Sequence, residues 1–456
     1  MSTETGPVTG ASPRVPAIAP GPKGLPILGS LPPFAKDPLT FFERLRDHGD
    51  MVGWRFGPNR CVYVADPEYI GELLTETERT FDQPALGIAF RTVMGNGVVV
   101  ARGAEWRRKR SLVQPSVRPR QVRSYAATMA QSAVQLADSW SDGERVDVGR
   151  EMTALTRRIA VRTIFGVDTR ADADTMGRAM EVALREIGKE FAGIGALLPD
   201  WVPTPGRARI RRAAAVIDAE VGRVVARRRD GGDDGRPDLL SRLLTAVDGT
   251  GARLTDREIR DETVTLYIGG HETTSSTLVW AWYLLSREPR VREALVEELD
   301  RVLGGREPEF EDYARLTYTQ SVIKETLRLY PTIWLVTGVA KAGARIGGIP
   351  LPEGTRVWTS QWATHRDERW FPEPERFRPE RWDAKDGDDI AEYAWFPFGG
   401  GPRACLGTRF AMVEAVLVLA VLARRFTLEI DPGVINPVPA LTLQPDREVR
   451  ATVRAR

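Results

Sequence analysis

The chain is predicted to fold mainly as α-helices with a small β part, an unequal α+β arrangement that three observations support. From about residue 103 to 330, apolar side chains recur with the helical period. One segment, LTDREIRDETVTLYIGGHETTSSTLVWAWYLLSREP, is long enough to cross a whole domain and carries helix signals at both ends. Runs of β type are short: a hairpin near the N-terminus, scattered pieces after residue 335, and the tail.

Taken in order, residues 1–34 are rich in Pro and Gly and are expected to form an irregular leader, with 35–456 as one domain. MVGWRFG and RCVYVAD, separated by Pro58-Asn59, predict a hairpin. Asp66 as N-cap and Pro67 as the first helical residue start a short helix. RRRDGGDDGRPD, at 227–238, predicts a polar surface break between helices. The long segment opens with a capping box, Thr255 with Glu258, and is closed by Pro289. At about 1.5 Å per residue it spans roughly 50 Å, so it should be central. The last helix is expected just after Cys405, and a β-rich tail covers 441–454.

Composition narrows the function. A net charge of +2 lacks the strongly basic balance of a general nucleic-acid binder. Cys61 and Cys405 are too few for a disulfide framework, which favours a reducing, cytoplasmic setting. The N-terminus has no signal-peptide pattern, and no apolar run approaches a membrane span, so no membrane anchor is expected.

Two places break local rules. Gly269 and Gly270 sit at the midpoint of the long helix, each costing roughly 1 kcal/mol relative to Ala. Glu272, Thr273 and Thr274 follow at once, polar where core is expected, and such breaks belong to functional sites. The second place is WFPFGGGPRACLGTRF, where Cys405 stands in a Gly-rich turn before an apolar helix. A thiolate is a soft iron ligand, and aligned N–H groups at a helix start stabilise it. One cysteine cannot build a zinc site or an iron–sulfur cluster, but haem needs only one protein ligand on its proximal side.

Phe398-x-x-Gly401-x-x-x-Cys405-x-Gly407 resembles the haem-binding loop of the cytochrome P-450 monooxygenases, and other family marks occur in the right order. Glu325 and Arg328 resemble the E-x-x-R pair behind the haem; at i and i+3 they share a helix face. PERFRPERW offers two arginines to complete that pair, and the repeat favours Arg381, with Arg376 the alternative register. Trp106 and Arg110 resemble the W-x-x-x-R element that holds a haem propionate, and Arg403 matches a second propionate position. One departure is that Gly338 stands near a place where many relatives carry another basic residue. Gly270-His271-Glu272-Thr273-Thr274 resembles the oxygen-binding segment, with Gly269 and Gly270 against the cofactor and Glu272 and Thr273 as the proton relay. His271 is read as a bystander, and His365 as the organiser of a local turn.

The resemblance implies a cytochrome P-450 fold, with the long helix over haem b and the thiolate-bearing loop beneath. It implies O2 as co-substrate and NAD(P)H used indirectly, because nothing here resembles a flavin, nicotinamide or iron–sulfur module. A ferredoxin or flavodoxin with its reductase is the implied partner, and Arg107, Arg108, Lys109 and Arg409 are its candidate docking face. The family's substrate regions map onto Ile88, Phe90, Met94, Leu266, Ile333, Trp334 and Val336. Their apolar character predicts a largely hydrocarbon substrate, terpenoid or polyketide-like. A peroxide-driven haem peroxygenase and a non-catalytic haem sensor are the alternatives; the acid–alcohol pair weighs against both. A cysteine-nucleophile hydrolase would need a histidine near Cys405, and the sequence places none there.

Overall fold

The computed structural model describes residues 19–84, 86–166, 170–192, 198–230, 238–383 and 390–456. Helices dominate, and the expected long helix runs from Asp256 to Arg287. Thr255 accepts from the Glu258 amide while Glu258 reaches back to Thr255, closing both halves of the capping box. Residues Ile259, Val264 and Ile268 of this helix belong to one apolar cluster, and Leu278 through Leu285 to another. The polar midpoint, Gly269 to Thr277, is therefore the seam between two cores.

The helix after the cysteine, Thr408–Arg425, is buried continuously from Met412 to Ala423, as a helix apolar on all sides must be. It shares the larger core with the C-terminal half of the central helix. Thr274 and the buried Glu414 meet across that contact.

The hairpin pairs Met51–Phe56 with Asn59–Val64, in register from Met51 opposite Val64 to Phe56 opposite Asn59. Arg356–Thr359 joins in parallel, Val336–Ala340 lies beyond it, and Phe81–Asp82 closes a five-stranded sheet. Side chains alternate between its faces. Cys61 and Tyr63 join a cluster with Trp54, Trp334 and Trp358, while Val62 and Val64 join Ile70, Leu73 and Phe81 opposite.

Asp66 caps the helix Pro67–Thr75 through the Glu68 amide at 2.8 Å. Ahead of the sheet, Pro20 and Ser30 bond its first strand, and a helix at Leu31–Lys36 straddles the expected end of the leader. The break at 227–238 begins inside the helix Pro205–Asp230; residues 231–237 lie outside the described residues, and Asp238 caps the next helix. Among the described residues no helix is long and apolar enough to cross a membrane.

Candidate active site

Cys405 follows a short turn, Gly401–Arg403, and precedes the buried helix. Its amide donates to the Phe398 carbonyl at 2.9 Å, which folds the loop back on itself. Gly401 makes the turn possible: φ is +59°, and a Cβ there would stand 2.2 Å from the Leu74 carbonyl oxygen. Protein surrounds the sulfur closely, yet one side stays accessible to solvent. That crowding raises the thiol pKa, opposed by the amides of Gly407 and Thr408, the Thr408 hydroxyl and the Arg110 charge. Groups that favour the thiolate are thus already in place for a metal. Cys61 has no such setting; it is buried in the sheet, and burial pushes its thiol up to about 11.

On the central helix one stripe is uncovered. Leu266, Gly270 and Thr273 are half-buried and Gly269 is exposed, whereas the helix around them is mostly buried. Their spacing of i, i+3, i+4 and i+7 places them on one face. A Cβ built at Gly269 or Gly270 meets no atom within 4 Å, so space opens above both. Leu406, beside the cysteine, packs on the same apolar cluster as Leu266, tying the stripe to the loop. Thr273 donates to the Gly269 carbonyl at 2.7 Å. Glu272 points elsewhere: its Oε1 accepts from Thr442 at 2.9 Å, its Oε2 is buried without a partner, and burial raises its pKa. His271 Nδ1 donates to the Tyr267 carbonyl at 2.8 Å, and burial lowers its pKa to about 4.

Trp106, Arg110 and Arg403 come together at the loop's edge. The guanidinium carbons of Arg403 and Arg110 lie 4.4 and 5.7 Å from the Trp106 ring centroid. Arg110 also donates to the Ala404 carbonyl at 2.9 Å, and Arg403 to that of Ala101 at 2.7 Å. Positive charge from Arg102 adds to the group. The answering acid, Glu78, was not visible in the sequence. It holds φ at +75°, pairs with Arg403 and accepts from the Gly103 amide at 3.0 Å. In the run TETERT nothing distinguishes it from a surface turn. At Gly338 a Cβ would stand 2.8 Å from Leu73 Cδ1, so a side chain there would require that leucine to shift.

The expected docking face needs correction. Lys109 is 1% exposed and pairs with Glu105, and Arg108 is tied to Asp248 and Glu258 at 2.8 and 2.6 Å. Arg107 and Arg409 alone of the four are exposed.

Behind the loop, Glu325 and Arg328 are wholly buried and paired at 2.8 Å. Arg381 donates to the same carboxylate at 2.9 Å, as does Trp382. Arg376 instead pairs with Glu373 at the surface and gives Arg328 only its carbonyl, so Arg381 is the third member. His365 does more than hold a turn: its Nε2 accepts from the Phe396 amide at 3.0 Å, fixing the start of the cysteine loop.

Of the seven candidate pocket residues, Phe90 and Met94 are buried and Ile88 half-buried on the helix Ile88–Met94, in or beside the cluster that Leu266 joins. Ile333 and Val336 are half-buried. Trp334 is a correction: it is 3% exposed within the aromatic cluster under the sheet, and its indole donates to the Ala440 carbonyl at 3.0 Å. It braces the tail instead of lining a pocket.

The loop after the Ile88–Met94 helix is clamped to the central helix. The Asn96 amide donates to Asp261 at 2.8 Å and the Val98 amide to Glu262 at 3.0 Å. Burial pushes the Glu262 carboxyl up to about 7. Because its folded pKa lies above the ordinary 4.5, stability it confers when protonated is lost as pH rises from 4.5 through about 7. Glu262→Gln, which keeps an acceptor for Val98, should remove about 3 kcal/mol of that pH dependence. Denaturant unfolding of both proteins across this range checks it; parallel curves would contradict it.

An accessible thiol among amides, a glycine-floored stripe and an arginine cluster together suit a flat, metal-bearing dianion. Compared with known proteins, the family model of cytochrome P-450 matches residues 19–447. The chain is a cytochrome P-450. It is 37% identical to cyclooctat-9-en-7-ol 5-monooxygenase of Streptomyces melanosporofaciens, over 96% of this chain and 95% of the relative. It is 36% identical to cyclooctatin synthase of the same organism, over 93% of each chain. It is 32% identical to pentalenene oxygenase of Streptomyces avermitilis, over 95% of this chain and 97% of the relative. This cytochrome P-450 is therefore a haem-dependent monooxygenase that uses O2. The residues present fit the haem: a soft ligand with its stabilising amides, open space over two glycines, and cations in excess of acids at the edge.

Proposed function

We propose that this enzyme inserts one oxygen atom from O2 into an unactivated carbon of a cyclic terpenoid, with electrons from a separate ferredoxin or flavodoxin and its reductase. The observation that carries the reading is the apolar character of the candidate positions: Leu86, Leu266 and Leu441 are half-buried against one cluster with Phe90 and Met94, and Ile88, Ile333 and Val336 are half-buried and apolar as well. Arg91, the one charge on the Ile88–Met94 helix, turns away to pair with Asp200 at 2.6 Å, so it offers nothing to a charged ligand. A multiply charged substrate would lose its hydration against such walls without recovering partners. The relatives' names support the same direction, because they name cyclooctat-9-en-7-ol, cyclooctatin and pentalenene.

In this reading the Cys405 thiolate would hold the haem iron, and Trp106, Arg110 and Arg403 would hold the propionates. Haem with a thiolate ligand supplies oxygen activation by pushing electron density toward O–O cleavage. Gly269 and Gly270 keep the helix back from the reacting face. Glu272 stores a proton, since burial favours its neutral form, and Thr273 is the hydroxyl of the same turn that opens on the stripe. The peroxide-driven reading is disfavoured by the presence of this acid and alcohol.

Thr273→Ala should keep consuming NADPH but divert most of it to hydrogen peroxide, with substrate affinity nearly unchanged. Parallel assays of NADPH, peroxide and product decide it. Undiminished product per NADPH would remove Thr273 from the relay.

A further inference from the structure

The acid of the relay does not stand alone. Thr442, 2% exposed, donates from Oγ1 to Glu272 Oε1 at 2.9 Å, and Gln444 Nε2 donates to Thr442 Oγ1 at 2.6 Å. Both belong to the tail hairpin, whose strands are Pro437–Pro439 and Leu443–Pro445. Sequence separates Thr442 from Glu272 by 170 residues, and no motif links the two.

We propose that Thr442, itself oriented by Gln444, is a positioning residue that fixes the Glu272 carboxyl so that Oε2 is the oxygen that releases and regains the proton. The proposal rests on the monooxygenase reading above. A hydroxyl has one proton to give. Because Gln444 Nε2 donates to Thr442 Oγ1, the threonine proton is directed at Glu272 Oε1. Oε1 is thereby occupied, while Oε2 is buried and has no partner. An amide side chain does not shuttle protons at neutral pH, so the Gln444 end anchors the chain and does not conduct along it.

The hairpin is a firm base for this task. Leu443 O accepts from Ser276 Oγ at 2.7 Å and from Trp280 Nε1 at 3.0 Å, both on the central helix. The Leu443 amide donates to the Thr332 carbonyl at 2.9 Å, and Trp334 holds Ala440. Between Ala440 and Thr442 stands Leu441, half-buried on the apolar cluster that includes Leu266. One peptide unit therefore joins a pocket-wall residue to the residue that aims the acid.

The test compares Thr442→Val, which keeps shape and loses the hydroxyl, with Thr442→Ser, which restores it. The first readout needs no turnover. At mildly acidic pH the Glu272 carboxyl C=O infrared band, assigned by its loss in Glu272→Gln, should shift to higher frequency in Thr442→Val and return in Thr442→Ser. The second is product formed per NADPH, expected to fall about tenfold in Thr442→Val, the fold-change of one hydrogen bond to an ionisable group. It should recover in Thr442→Ser, with the substrate-induced spectral dissociation constant within about twofold throughout. An unmoved band in Thr442→Val overturns the proposal, as does a shifted band with wild-type coupling. Failure of the wild type to oxidise any hydrocarbon would sink the monooxygenase reading instead, and the infrared band would still decide the clamp.

Discussion

Cys405→Ala is expected to abolish the strongly red-shifted Soret band that carbon monoxide gives with reduced, thiolate-ligated haem, and to reduce turnover to background. Cys61→Ala should keep both. The difference follows from position, since both residues are free cysteines. Cys405 is accessible, and its sulfur faces the Gly407 and Thr408 amides and the Arg110 charge, all of which favour the anion. Cys61 is 2% exposed in the sheet, with burial dominating its environment. A carbon monoxide difference spectrum of each variant checks the assignment. Retention of the red-shifted band in Cys405→Ala, or its loss in Cys61→Ala, would move the ligand elsewhere.

Glu325→Ala should be the most damaging change away from the ligand. Its carboxylate accepts from Arg328 twice, from Arg381, from Trp382 and from the Arg378 amide, all at 2.8 to 3.1 Å. Removing it strands two buried guanidiniums, and breaking one buried pair already costs about 3–5 kcal/mol. The variant should fail to fold or to retain haem. Arg376→Ala is the control, because its pair with Glu373 is more than half exposed on both sides and should be worth less than about 1 kcal/mol. Denaturant unfolding of both variants measures the contrast. Equal stability of the two would mean that the Glu325 network bears no weight.

What could be read from the sequence was local. The capping box at Thr255, the Asp66–Pro67 helix start and the hairpin around Pro58 depend on neighbours a few residues away, and each stands where its signal lies. The repeated PER pattern favoured Arg381, the arginine that reaches Glu325. Long-range placements were not legible. Nothing in Arg356–Thr359 says that it pairs in parallel with Asn59–Val64, almost 300 residues earlier. Apolar residues of core and pocket look alike in sequence, so only packing distinguishes Trp334, which lies under the sheet, from a pocket residue. Lys109 looked like part of a surface run until burial and Glu105 accounted for it. Glu78 and Thr442 are single polar residues whose partners, Arg403 and Glu272, lie more than 150 residues away.

Labelled oxygen tests the central claim most directly: the enzyme, reconstituted with a surrogate ferredoxin, its reductase and NADPH, is given a cyclic terpene under ¹⁸O2. The expected product is an alcohol carrying one ¹⁸O atom, formed in proportion to NADPH and lost in Cys405→Ala. An unlabelled product, or one that forms only when hydrogen peroxide replaces O2 and NADPH, would contradict it.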